Sequence, residues 1–190
     1  MNAALAQIAP GTPPLPLDVV RSFIGEGARL LVGRALERQG LPAPVEDVLP
    51  LFMRCYGEVL LDTTRAYAGI PEALEGLGGR TLAVLTNKPG RMSRTLLDGL
   101  GLSSRFRRVI GGDDLPTRKP DPEGLRLLMH EAGAGPDEAV MVGDSAIDVQ
   151  TARACGVRSV GVAWGFDPGS LRREPPDVLV ERPSDLLVAL

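Results

Sequence analysis

Val142-Gly143-Asp144-Ser145-Ala146-Ile147-Asp148 follows the apolar run Ala139–Val142. An apolar run that stops at a glycine and an acid, with a second acid four residues on, reads as a strand turning into a helix. Ligands of open α/β sheets bind beyond the carboxyl ends of the strands, so chemistry is expected at this turn. Two carboxylates one helical turn apart suit a hard, oxygen-seeking cation such as Mg²⁺, which takes one or two protein carboxylates together with water and phosphate oxygens. The plainer alternative makes Asp144 a helix N-cap and Asp148 a solvated first-turn acid.

Two further stretches have the same setting. Leu85-Thr86-Asn87-Lys88-Pro89 ends another apolar run in a hydroxyl, an amide and a cation. Thr86 and Asn87 are placed to donate hydrogen bonds to an anionic oxygen, unless this is only a polar strand-to-helix turn. Lys119-Pro120-Asp121-Pro122 enters a helix, and a lysine there can balance charge on a phosphoryl group or a carboxylate. Alone, it reads more readily as an ordinary surface lysine before a helix cap. Three such stretches, each after a strand or opening a helix, point to one anion-binding rim.

The chain around them changes character near Tyr67. Before it, Ala28, Leu31, Val32, Ala35 and Leu36 recur at helical spacing, as do Val48, Phe52, Cys55, Tyr56 and Val59. After it, short runs at Thr81–Thr86, Arg108–Gly111, Ala139–Val142, Ser159–Val162 and Asp177–Val180 alternate mostly with helical segments. Pro71 suits a first helical position, Asp121-Pro122-Glu123 an N-cap and first turn, and Gly101 and Gly156 suit helix ends. Residues 1–67 are therefore expected to form a helical domain, and residues 68–190 an α/β domain with a parallel sheet covered on both faces.

Composition narrows the partners. The 190 residues are 44% hydrophobic and 24% charged, ordinary values for a globular protein, with net charge −3 and no basic run. That leaves no electrostatic footprint for nucleic acid or an anionic membrane. No apolar stretch has the length of a membrane span, so the reading is cytoplasmic. Cys55 and Cys155 stand apart without metal-type spacing and read as free, buried thiols. No glycine-rich phosphate loop of either familiar spacing appears, which argues against a nucleotide-binding protein. His130 falls on a helix beside Leu125, Leu128 and Met129 and reads as a helix-face residue. Trp164 follows the Ser159–Val162 strand, either packed or at a pocket rim.

Thr-Asn after a strand, Lys-Pro before a helix and Gly-Asp-Ser-x-x-x-Asp after the next strand together resemble three signature motifs of the haloacid dehalogenase superfamily. Ala68-Gly69-Ile70-Pro71-Glu72-Ala73-Leu74, Gly111-Gly112-Asp113, Ala163-Trp164-Gly165-Phe166 and Arg21-Ser22-Phe23-Ile24-Gly25-Glu26-Gly27 are similar to its phosphoglycolate phosphatase branch. The resemblance implies a doubly wound, Rossmann-like parallel sheet under a small, mobile helical cap. It implies that Thr86 and Asn87 hold the substrate phosphate and that Lys119 steadies the transferring phosphoryl group. Asp144 would bind Mg²⁺, with Asp148 helping directly or through water, and Arg21, Gly25 and Gly27 would lie near the cap loop that selects substrate. The substrate would be a small phosphorylated metabolite, 2-phosphoglycolate first, hydrolysed through a phosphoaspartate.

One part of the pattern is missing. Members of the superfamily begin with a strand ending in Asp-x-Asp-Gly-Thr, whose first acid attacks phosphorus, and no such motif occurs here. Val59-Leu60-Leu61-Asp62-Thr63-Thr64 imitates it poorly, with one acid and no glycine. Met1 is thus expected to be an internal methionine of a longer protein, and the chain as given to be inactive. The alternative is a non-catalytic relative that keeps the pocket for binding phosphate or metal. By the resemblance the absent strand is central, between the Thr81–Thr86 and Ala139–Val142 strands. Losing its apolar residues would forfeit on the order of 8–15 kcal/mol, against a typical domain stability of about 5–15 kcal/mol. Poor folding or self-association of the isolated chain is the expectation.

Overall fold

A computed structural model describes residues 1–190. The first part of the chain is helical: α1 (Asn2–Ile8), α2 (Leu17–Ser22), α3 (Ala28–Gln39) and α4 (Val45–Glu58). The apolar stripes foreseen on α3 and α4 face each other, and Leu31, Val32, Ala35, Leu36, Val48, Phe52 and Cys55 are buried with Ala4, Leu5 and Leu15 in one cluster. Val59 does not belong to that stripe. It lies just past the end of α4 and is 53% exposed, because the helix stops before the stripe reaches it.

From α5 (Ile70–Gly76) onward, strands and helices alternate: β1 (Ala83–Leu85), α6 (Gly90–Gly99), β2 (Arg108–Ile110), α7 (Glu123–Ala132), β3 (Val140–Gly143), α8 (Ala146–Ala154), β4 (Arg158–Val162), β5 (Val178–Val180) and α9 (Leu186–Ala189). All five anticipated strands form, and every pairing is parallel. The helix signals hold with small shifts. Pro71 falls in the first turn of α5, and the Asp121 carboxylate accepts the N–H of Glu123 at 2.9 Å. Gly101 and Gly156 adopt positive φ where helices end.

The strands form two ladders rather than one continuous sheet. β1 pairs with β2, and β3, β4 and β5 pair in that order, with no strand pairing between β1 and β3. What joins the ladders is side-chain packing under α7, where Leu125 meets Met141 of β3 and Leu85 of β1 packs against the same cluster. A third cluster holds Val160, Val162, Val180, Ala73 and Leu186. With the core divided in three, the accessible surface is 10597 Å², against about 8,700 Å² expected for a monomer of this mass. Val142, in a strand whose neighbour Met141 is buried, is 39% exposed. No helix is long and apolar enough to cross a membrane. Cys55 is buried and Cys155 only half-buried, both as free thiols.

Candidate functional site at the strand ends

The carboxyl ends of β1 and β3 bring the singled-out residues together. β3 ends at Gly143, and α8 starts at Ala146 with Ser145 as its N-cap, so the plainer alternative of Asp144 as the cap does not hold. Asp148 in the first turn of α8 folds back over that start. Its Oδ2 accepts the Asp144 N–H at 3.2 Å, the Ser145 N–H at 3.1 Å and the Ser145 hydroxyl at 2.7 Å. Its Oδ1 accepts Lys119 Nζ at 2.6 Å, with side chains only 12% and 7% exposed for Lys119 and Asp148. The first-turn acid is thus a buried ion-pair partner and not a solvated one. Such a charge survives burial because each oxygen is paired or hydrogen-bonded. Gly143 is required beneath it, since a Cβ there would lie 2.2 Å from Asp148 Cβ.

Asp144 has a different environment. Its Oδ2 accepts the backbone N–H groups of Phe166 and Asp167, in the turn after β4, while Oδ1 makes no hydrogen bond. Gly165 lets this turn close in, because a Cβ there would fall 2.0 Å from Asp144 Cβ. Asp144 can therefore offer one carboxylate oxygen, whereas Asp148 has both engaged. No group of three or more His, Cys, Asp or Glu side chains gathers as a metal cage. This donor set fits Mg²⁺, which commonly takes a single protein carboxylate and completes its shell with water and phosphate oxygens. Asp144 would hold the ion directly, and Asp148 would act through the Asp144 backbone or through water.

At the end of β1, Thr86 Oγ1 accepts the Lys88 N–H at 3.1 Å, which leaves its hydroxyl hydrogen available to a ligand. Asn87 is 7% exposed and committed elsewhere. Its Nδ2 donates to Gly25 O at 3.1 Å and to Lys119 O at 3.0 Å, so both amide hydrogens are engaged within the protein. Asn87 Oδ1 is buried without a partner. Here Asn87 ties the helical half to the lysine segment and does not present donors to a phosphate.

The helical half adds Arg21, whose guanidinium stands 5.1 Å from the centre of the Phe166 ring. Gly25 adopts φ +126, and Gly27, at φ +96, packs against Arg118. Lys88 Nζ bonds the Tyr56 hydroxyl of α4 and lies over its ring at 4.6 Å. A cleft of about 360 Å³ opens between the halves, lined by Asn87, Gly27, Met53, Asp113 and Arg118 among others. A larger hollow of about 600 Å³, bordered by Arg153, Arg158, Ser159 and Asp177, lies at the opposite ends of the strands, away from all of these residues. His130 is exposed near the end of α7, and Trp164 packs half-buried against the β4–β5 cluster.

Every residue proposed from the sequence is therefore near one rim, linked from Gly25 through Asn87, Lys119, Asp148 and Asp144 to Phe166 and Arg21 or, for Thr86, adjacent in the chain. Three participants were not foreseen: Phe166, Tyr56 and Arg118. Phe166 had a legible signal, because it lies in the Ala163-Trp164-Gly165-Phe166 stretch just past β4. Tyr56 and Arg118 had none, since their roles arise from packing between distant segments.

The sequence pattern of the haloacid dehalogenase-like hydrolases matches residues 2–162. The phosphoglycolate phosphatase 1 of Pseudomonas aeruginosa is 40% identical over 185 residues, covering 93% of this chain and 68% of that protein. The phosphoglycolate phosphatase of Pseudomonas putida is 40% identical over 179 residues, covering 90% and 65%. The chain thus spans about two thirds of the length of these relatives. A crystal structure of a predicted phosphoglycolate phosphatase from Haemophilus somnus superposes with a TM-score of 0.89 at 31% identity, covering 99% of this chain and 87% of the other. The chain belongs to the haloacid dehalogenase-like hydrolases, and within them it is similar to the phosphoglycolate phosphatases.

Proposed function

We propose that this chain carries the binding apparatus of a Mg²⁺-dependent phosphomonoester hydrolase acting through a phosphoaspartate on small phosphorylated metabolites, 2-phosphoglycolate first among them. The observation that carries the proposal is the placing of Lys119, Asp148 and Asp144 in one hydrogen-bonded set at the strand ends, beside the hydroxyl of Thr86. Similarity to phosphoglycolate phosphatases supports the choice of substrate.

In this reading Thr86 donates to a phosphate oxygen, Lys119 balances the charge of the phosphoryl group, and Asp144 holds Mg²⁺. The bound ion would add positive charge beside the phosphate oxygens. The helical half, joined to the rim through Gly25 and Arg21, acts as the cap that excludes water and selects substrate. The same reading makes the 190-residue chain inactive by itself. Asp148 is engaged by Lys119 and its own helix start, and Asp144 is assigned to the ion, so neither is free to attack phosphorus.

Calorimetric titration with 2-phosphoglycolate in Mg²⁺, with phosphate release followed in parallel, tests both parts. The expected result is Mg²⁺-dependent binding that Lys119→Met weakens at least tenfold, without turnover. Absence of binding would defeat the site. Turnover abolished by Asp144→Asn would defeat the statement of inactivity while keeping the site.

The second reading is a non-catalytic protein that uses the same Lys119, Asp148 and Asp144 set to bind phosphate and metal. Genomic sequence upstream of Met1 separates the two. An in-frame Asp-x-Asp-Gly-Thr segment favours the enzyme, and a stop codon directly before Met1 favours the binder.

A further inference from the structure

We propose that Phe166 is a positioning residue through which Arg21 of the helical half sets the orientation of the Asp144 carboxylate. The inference rests on the reading of Asp144 as the Mg²⁺ ligand. It adds a coupling between that ligand and the helical half that the reading by itself does not require.

Two contacts meet at Phe166. Its backbone N–H donates to Asp144 Oδ2, which holds one carboxylate oxygen and leaves the other for a ligand. Phe166 belongs to no core cluster and is 41% exposed, with the Arg21 guanidinium 5.1 Å from the ring centre. Arg21 forms no ion pair and no hydrogen bond from its side chain, so the ring is its one specific contact. Gly165 brings the turn against Asp144 so closely that no side chain fits between them. The Arg21 contact restrains the Phe166 side chain, and through it the turn whose N–H fixes the carboxylate.

The same segment of the helical half reaches the other charge of the site independently, through Gly25 O, Asn87 and Lys119 O. Residues 21–25 are thus joined to the metal carboxylate on one side and to the lysine on the other. Movement of that segment changes both.

The test is Mg²⁺ titration of the 190-residue chain, followed by the fluorescence of Trp164, the one tryptophan, two residues before Phe166. Phe166→Leu removes the π face but keeps the N–H, and Arg21→Met removes the cation from an exposed position. Each is expected to weaken Mg²⁺ binding about three- to tenfold, as the loss of one cation–π contact allows. The double variant should bind no worse than either single one, and Phe166→Tyr and Arg21→Lys should restore wild-type binding.

Unchanged affinity in Arg21→Met, or losses that multiply in the double variant, would overturn the coupling. If Asp144→Asn leaves the response intact, or the wild type shows none, the metal reading falls and the coupling with it. A response removed by Asp144→Asn but untouched by Arg21→Met overturns the coupling alone.

Discussion

Replacing Lys119 by Met should destabilise the chain by about 3 kcal/mol, and further replacing Asp148 by Asn should return about 1–2 kcal/mol of that loss. The Lys119–Asp148 pair is 2.6 Å apart and nearly out of water, with side chains 12% and 7% exposed. At an effective dielectric of 20 its gross attraction is about 6 kcal/mol. Much of this is offset by desolvation, and breaking such a pair from one side typically costs about 3–5 kcal/mol. The lower figure applies, because Asp148 Oδ2 keeps its three donors and only Oδ1 loses its partner. In the double variant the buried charge is gone, and an asparagine oxygen can still accept from Ser145. Its expected loss is about 1–2 kcal/mol. Urea unfolding of wild type, both single variants and the double, monitored by circular dichroism, gives the coupling energy. Additive losses, with coupling below about 0.5 kcal/mol, the usual scatter for independent sites, would refute the reasoning.

Gly143→Ala should cost about 2 kcal/mol or more in the same assay and abolish the Mg²⁺ response, because its Cβ would occupy the position of the Asp148 side chain. Asn87→Asp turns two donors into acceptors facing the carbonyls of Gly25 and Lys119, so amide exchange in residues 21–27 should quicken by tenfold or more. Unchanged exchange there would show that Asn87 does not hold the two halves together. The Arg94 guanidinium hydrogen-bonded to Asp114 holds that carboxyl below the usual carboxylate range. Its folded value is thus lower than its unfolded one. The stabilisation is full above about pH 4 and fades as pH falls through the folded value. Asp114→Asn should therefore lower stability by up to about 1 kcal/mol at pH 7, discounted for the pair's exposure. That deficit should shrink below pH 4, and a deficit that stays constant down to pH 2 would exclude the linkage.

Much of this molecule is legible in one dimension because its signals are local. Apolar runs mark five strands, and the glycines at 101 and 156 mark helix ends by tolerating positive φ. The acid four residues after Asp144 identifies the turn into α8. Identity of chemical groups was also legible: a hydroxyl, a lysine and two carboxylates do fall at one rim. Their individual states were not. Asn87 appears in the chain as a ready donor, yet its hydrogens are taken by Gly25 and Lys119, which lie 62 and 32 residues away. Asp148 reads in the chain as a metal-binding or a solvated acid, and only folding reveals that Lys119 reaches it.

The order of strands and helices, the residue types at the strand ends and the membership of the family were determined by the sequence itself, because periodicity, turn chemistry and motif spacing are properties of neighbouring residues. The tertiary structure alone decided that the strands close into two ladders, that Asp148 answers to a lysine, and that Phe166 joins Arg21 to Asp144. Each of these depends on a distance between segments far apart in the chain, and hydrogen bonds and ion pairs act over only a few ångströms.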